Sequence, residues 1–278
     1  MDIGTGLSIV GSARLLERLL GPTADYIGEG IKGWTEKRVA NVDRILRYAT
    51  KLSDRIDQRG AVPPKVLGGV LKEGSFCDDE LCAQYFGGVL ASSKSEISRD
   101  DRGASYVALL GRLSTYQIRA HYCFYHLFKR ESNGVGVEDL TLGTKKGRES
   151  LEIAIPLLDY FSFMGFDVEE EQLELLPHIM SGLLKELLIA DRFETGAGVL
   201  LGERYVESYF NEDEAEEFMD AIIRPELAVQ PTSAGIELFL WAHGKGNLSP
   251  LSFFDADHSF ELDSTIVMPR GPHKVKSS

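Results

Sequence analysis

Hydrophobic residues recur at three- and four-residue intervals along most of the chain, separated by short polar or glycine-containing breaks. Leu81, Cys82, Tyr85, Phe86, Val89 and Leu90 form the broadest stripe, which predicts a helix with a wide apolar face. Asp78, Asp79 and Glu80 crowd its first turn, where carboxylates accept from free amides and oppose the positive end of the helix dipole. The pattern stops at Ser92-Ser93-Lys94-Ser95 and resumes at Arg102-Gly103. Tyr106, Leu109, Leu110 and Leu113 mark the next helix. After a Leu113-Ser114-Thr115 cap, Tyr116, Ala120, Cys123 and Leu127 mark another. Residues 75–128 therefore predict a unit of three helices around which the rest of the chain packs.

Upstream, Ile3, Leu7, Val10, Leu15, Leu16 and Leu19 predict an amphipathic helix over residues 3–20, stopped by Gly21-Pro22. From Trp34 onward, Val42, Ile45, Leu46, Ala49, Leu52 and Ile56 predict a long helix. Its outer face carries Arg38, Arg44, Arg47, Lys51, Arg55 and Arg59. Such a face is either solvated or attractive to an acidic partner, and the solvated reading is preferred. Val62-Pro63-Pro64 breaks the helix before a short apolar segment at 66–71.

Downstream, glycines, turn residues and charges cluster over 133–148 as in a linker. Leu151, Ile153 and Ile155 then alternate like a strand, and Pro156 opens a helix that ends at Gly165. Pro177 starts or kinks a helix bearing Ile179, Met180, Leu183, Leu184, Leu187 and Leu188. Pieces at 193–206 and 227–230 lean towards strand. A last helix is capped by Thr232-Ser233 and stops at Gly244. The expected architecture is mainly α: a helical domain at 1–132, a linker at 133–148, and a winged-helix-like α+β module at 149–244. In the tail at 245–278, Phe253, Phe254 and Phe260 dock back and the last residues are disordered.

Composition narrows the classes. The 278 residues are 43% hydrophobic and 26% charged, as in a soluble globular protein with a sizeable core. The net charge of −13 is uneven. Residues 1–75 hold 12 Lys/Arg against 9 Asp/Glu, and residues 166–278 hold 8 against 22. That field repels phosphate backbones, so nucleic acid is not an expected partner. Cys77, Cys82 and Cys123 cannot form a fully paired framework and read as reduced thiols in helices. With neither a secretory pattern at the start nor an apolar run of about 20 residues, the expected location is cytoplasmic.

Candidate chemistry is sparse. Gly28, Gly30 and Gly33 match a dinucleotide spacing, but no predicted strand precedes them. His121, Cys123 and His126 suggest a metal, yet residues 121 and 126 lie about 140° apart around a helix and do not converge. Packing by Tyr122, Phe124, Tyr125 and Phe128 is the preferred account. The acidic run 212–217 lacks the spaced oxygens and central glycine of a calcium loop. The lysines at 145 and 146 lack a phosphate cradle, and no serine elbow is present. The helix a winged module would offer to DNA carries Lys185 beside Glu186 and is otherwise leucine-rich, unsuited to base edges. No catalytic residue, metal or cofactor is expected.

Cys77-Asp78-Asp79-Glu80-Leu81, followed by Ala83 and Val89-Leu90-Ala91, resembles the acidic-helix motif of the abortive-infection alpha family, bacterial proteins associated with phage resistance. Arg102 to Leu113 with Ser114-Thr115-Tyr116 resembles that family's next helix and leucine-serine turn. Leu20-Gly21-Pro22 with Gly28, and Thr232-Ser233-Ala234-Gly235-Ile236-Glu237-Leu238-Phe239, extend the likeness across residues 20–244. Cys77, Cys82, the tandem Gly87-Gly88 and the tail after Gly244 depart from it. The resemblance implies structural or interaction roles for Asp78, Asp79, Glu80, Leu81, Ala83, Leu113, Ser114, Thr232 and Gly235. The expected function is a non-enzymatic interaction protein in anti-phage defence that binds a protein partner or itself. The alternatives are a winged-helix nucleic-acid-binding regulator and a peripheral membrane effector acting through residues 3–20.

Overall fold

Pro64 supplies a preset φ at the first position of a helix, and the chain takes it up as one: the segment 66–71 belongs to a helix over Pro64–Glu73. A computed structural model describes residues 28–53, 60–97, 99–132, 142, 144, 147–148, 151–167, 170–190, 226–255 and 257–260. The expected helix at 3–20, the strand-leaning piece at 193–206 and the acidic run at 212–217 lie outside these residues.

The described chain is mainly helical. In order it forms α1 (Gly28–Ser53), α2 (Pro64–Glu73), α3 (Glu80–Ser92), α4 (Gly103–Leu110) and α5 (Thr115–Glu131). Then follow β1 (Ile153–Pro156), α6 (Leu157–Met164), α7 (Gln172–Lys185), β2 (Glu226–Val229) and α8 (Ser233–Ala242). Short 3-10 turns occupy Gly74–Phe76 and Pro250–Phe254. Strands β1 and β2 pair antiparallel, with Ile153 opposite Val229 and Ile155 opposite Leu227. Gly28, Gly30 and Gly33 all lie within α1, not in a strand-to-helix turn, so the phosphate-binding context of their spacing is missing. Pro177 sits inside α7, which begins at Gln172, so it does not open that helix. Gly165 closes α6 in the left-handed conformation, φ 60°, as a C-terminal glycine does.

The described residues form two compact units. One comprises the chain up to Thr115 together with Leu240–Leu248, and the other comprises Tyr116–Phe239 with the chain from Ser249 onward. This division differs from a boundary at 133–148, because α5 belongs with the later elements.

In the first unit α1 packs most extensively on α3. Every α3 residue from Leu81 to Ser92 except Gln84 is buried, so this helix is apolar all round, not merely along the predicted stripe. The tandem glycines explain how. A Cβ on Gly87 would stand 2.6 Å from the Tyr48 Cβ and 2.9 Å from the Ile45 carbonyl oxygen. One on Gly88 would collide with the backbone carbonyl of Ala242. The residues that break the resemblance thus let backbone approach α3 from two sides. Ser92 Oγ donates to Trp241 O (2.9 Å) and accepts from Gly246 N (3.1 Å), and Trp241 stacks on Tyr106 at 4.6 Å.

The core of the second unit is aromatic. Tyr122, Phe124, Tyr125 and Phe128 of α5 are buried as expected. Phe253 from the tail meets both Tyr125 and Phe239 edge-on, at 6.2 and 5.6 Å.

Candidate functional site

Arg38, Asn41, Arg44 and Tyr48 follow one another at three, three and four residues, which sets them on one stripe of α1. That stripe faces the acidic motif. Asp79 is the N-cap of α3, and its carboxylate accepts from Cys82 N at 2.8 Å. Asp78 is not in the first turn as its sequence position suggested. It precedes the cap, and its carboxylate accepts from Asn41 Nδ2 at 2.9 Å. Arg44 donates to Asp78 O (3.0 Å), and its Nε lies 3.2 Å from Glu80 Oε2, while Tyr48 donates its hydroxyl to Glu80 Oε1. Arg38 donates twice to Ser75 Oγ, at 2.9 and 2.6 Å, with its guanidinium 4.2 Å from the Phe76 ring centroid.

Of the basic face of α1, Arg44 meets an acidic side chain of residues 75–80, and Arg38 meets Ser75 and Phe76 there. Arg47 and Lys51 are exposed, as the solvated reading expects. Arg55 and Arg59 of the same predicted face lie outside the described residues. Neither the arginine stripe nor Asn41 and Tyr48 figured among the expected motif residues. Their matching spacing was the available signal. The Asp79 cap contributes about 1 kcal/mol, and the half-exposed Arg44–Glu80 pair a few tenths to about 1 kcal/mol.

Beyond Glu80, the stripe opens into a surface cleft of about 260 Å³ lined by Arg44, Arg47, Tyr48, Lys51 and Glu80. Arg47 is 72% exposed and pairs with Asp43 at 3.2 Å. Lys51 is exposed and has no ion-pair partner among the described residues.

The cysteines correct an expectation. Cys77 lies ahead of α3, not in a helix, and forms a disulfide with Cys82 across the capping turn, with the Cα atoms 6.2 Å apart. The extended backbone of Asp79 folds the chain back at the start of α3, which brings residue 77 beside residue 82. Only Cys123 is a free thiol, and it is buried. The inference of a reducing compartment from three unpaired thiols loses its premise. Among the described residues, no helix is long and apolar enough to cross a membrane.

The late motif residues assemble a separate cluster in the second unit. Thr232 caps α8: its Oγ1 accepts from Gly235 N (3.0 Å) and donates to Leu187 O (2.6 Å). Tyr125 OH donates to Leu188 O (2.6 Å) and accepts from Thr232 N (3.1 Å). His121 Nε2 donates to Gly235 O at 3.0 Å, and its ring stacks on Tyr125 at 4.5 Å. Burial pushes the Tyr125 phenol up, partly offset by its bonds to Thr232. Leu187 carries φ 57°, a left-handed conformation that directs successive carbonyls to Thr232 and Tyr125. A Cβ on Gly235 would strike both Tyr125 OH and Leu188 O.

Asp78, Asp79 and Glu80 thus gather at one helix start, while Thr232 and Gly235 gather at another in a different unit. Leu81 and Ala83 are core, Leu113 is half-buried, and Ser114 directly precedes α5. Among the described residues, no three His, Cys, Asp or Glu side chains are placed to hold a metal. His121 is engaged with Gly235 O, and His126 packs edge-on against Phe239 at 4.8 Å. No family model matches the chain, and no curated protein or solved structure shows significant similarity to it.

Proposed function

We propose that this chain is a non-enzymatic interaction protein of bacterial anti-phage defence, of the abortive-infection type. What supports the reading is how the motif residues are employed. Asp79 caps α3, Asp78 and Glu80 brace α1, and Thr232 and Gly235 lock the start of α8. Residues used in this way build a surface; they are not aimed at a substrate. The defence role rests on the motif order alone, and a phage-challenge assay tests it. Expression of the intact chain in a sensitive bacterium lowers the efficiency of plating, and Asp79→Ala weakens that protection. Absence of protection, or nuclease or NAD-hydrolysing activity in the purified chain, overturns the proposal.

Within this reading residues 149–244 are a winged-helix-like module used for protein contact. The antiparallel β1–β2 pair, with α6 and α7 between its strands and α8 following, supports that description. The surface of α7 offers Lys185 next to Glu186 and the exposed Leu173, a poor match to phosphate and base edges. A mobility-shift titration against duplex DNA at varied salt checks this: a salt-dependent shift favours the nucleic-acid-binding alternative.

A further inference from the structure

We propose that the cleft on α1 beside the start of α3 binds a phosphate monoester group, with Arg47 and Lys51 as the cations that hold it. Arg44, Arg47, Tyr48 and Lys51 project from successive turns of one helix into the same 260 Å³ space. Glu80 also lines it, but both its carboxylate oxygens are occupied, one by Arg44 and the other by the Tyr48 hydroxyl. Its charge is neutralised within the wall. Arg47 and Lys51, one helical turn apart, are left facing the space. Lys51 has no ion-pair partner among the described residues, and Arg47 is tied only to Asp43 through an exposed pair that is cheap to exchange.

Two neighbouring cations suit a dianion better than a monoanion. The arginine fork takes two oxygens of a phosphoryl group while the ammonium acts as a point charge on the third. Volume sets the size of the ligand. Pockets for drug-sized ligands span roughly 300–1,000 Å³, so this cleft of about 260 Å³ accommodates a phosphoryl group with a few attached atoms, not a whole dinucleotide. Global charge sets its class. A chain of net charge −13 repels a polyanionic strand at long range, while a small ester feels mainly the nearby cations. A free metabolite and a lipid headgroup both present this phosphate monoester to the cleft.

Titration calorimetry of the full chain with glycerol 3-phosphate, and co-sedimentation with phosphatidylcholine vesicles with and without phosphatidic acid, test the site and its source. Saturable binding of glycerol 3-phosphate but not glycerol, or of phosphatidic acid vesicles only, supports it and tells the two sources apart. Arg47→Ala and Lys51→Ala are each expected to weaken binding about threefold and the double variant about tenfold, with Lys65→Ala unchanged. All three side chains lie on the surface, and unaltered thermal melts verify that the variants fold. Absence of binding to both probes, or undiminished binding by the double variant, overturns the site. The anion site and the defence role can fail independently: one is read from purified protein with a defined probe, the other from plaques.

Discussion

The starts of α3 and α8 face the same problem, a set of backbone amides with no partner inside the helix, and meet it with different materials. At α3 the cap is an aspartate, and charged residues from α1 surround it at the protein surface. At α8 the cap is a threonine hydroxyl within a neutral set of bonds, exposed at the Leu187 carbonyl and buried where Tyr125 meets Leu188 O and His121 meets Gly235 O. Water can replace much of what is lost at the first. At the second, a deleted partner leaves a buried group with nothing to bond. The charged junction is therefore the tolerant one. The neutral junction is the rigid one.

The largest expected break is Gly235→Ala. Its new Cβ meets a hydroxyl and a backbone carbonyl that cannot both retreat, so destabilisation of about 3 kcal/mol is expected, measured by urea unfolding. Tyr125→Phe follows, leaving Leu188 O and Thr232 N without their shared partner, at about 1–3 kcal/mol by the same measurement.

The same burial sets a pH response. Cys123, Tyr125 and Tyr160 are all raised above the ordinary thiol and phenol values of 9.0 and 10.0, with burial the leading cause in each. These groups stay neutral in the folded chain while the unfolded chain ionises. Their stabilisation is thus fully present below pH 9 and is lost as pH rises further. Tyr160 OH is buried with no hydrogen-bond partner among the described residues, so Tyr160→Phe is expected to raise the neutral-pH melt and to flatten the alkaline loss.

At the charged junction, Asp79→Ala is expected to cost about 1 kcal/mol, whereas Glu80→Gln costs a few tenths and does so only at low salt. Equal effects at residues 79 and 80 would erase the distinction between cap and surface pair. The smallest change runs the other way. Leu187 is 68% exposed and holds a conformation that suits glycine, so Leu187→Gly is expected to stabilise by about 0.5 kcal/mol in thermal melts.

Much of the chain from α3 to α5 follows from local pattern. The break between Ser92 and Gly103, the start of α5 after Ser114 and the Asp79 cap all depend on residues within a few positions of one another. Periodicity and capping preference carry that information directly. The burial of α3 on every side was harder to see, because two glycines carry no hydrophobic signal and yet decide how closely other segments approach. The cysteine pairing also escaped, since it depends on the turn geometry at Asp79 and not on the count of thiols.

The sequence alone placed the starts of α3, α5 and α8 and the end of α6 at Gly165, since those choices rest on short-range sterics and hydrogen bonding. Only the tertiary structure decided which groups meet. Arg38, Asn41, Arg44 and Tyr48 find residues 75–80 across 32 to 37 positions, and Tyr125 finds Leu188 across 63. Such pairings are fixed by how helices pack, and packing sums many weak apolar contacts that no single stretch of sequence contains.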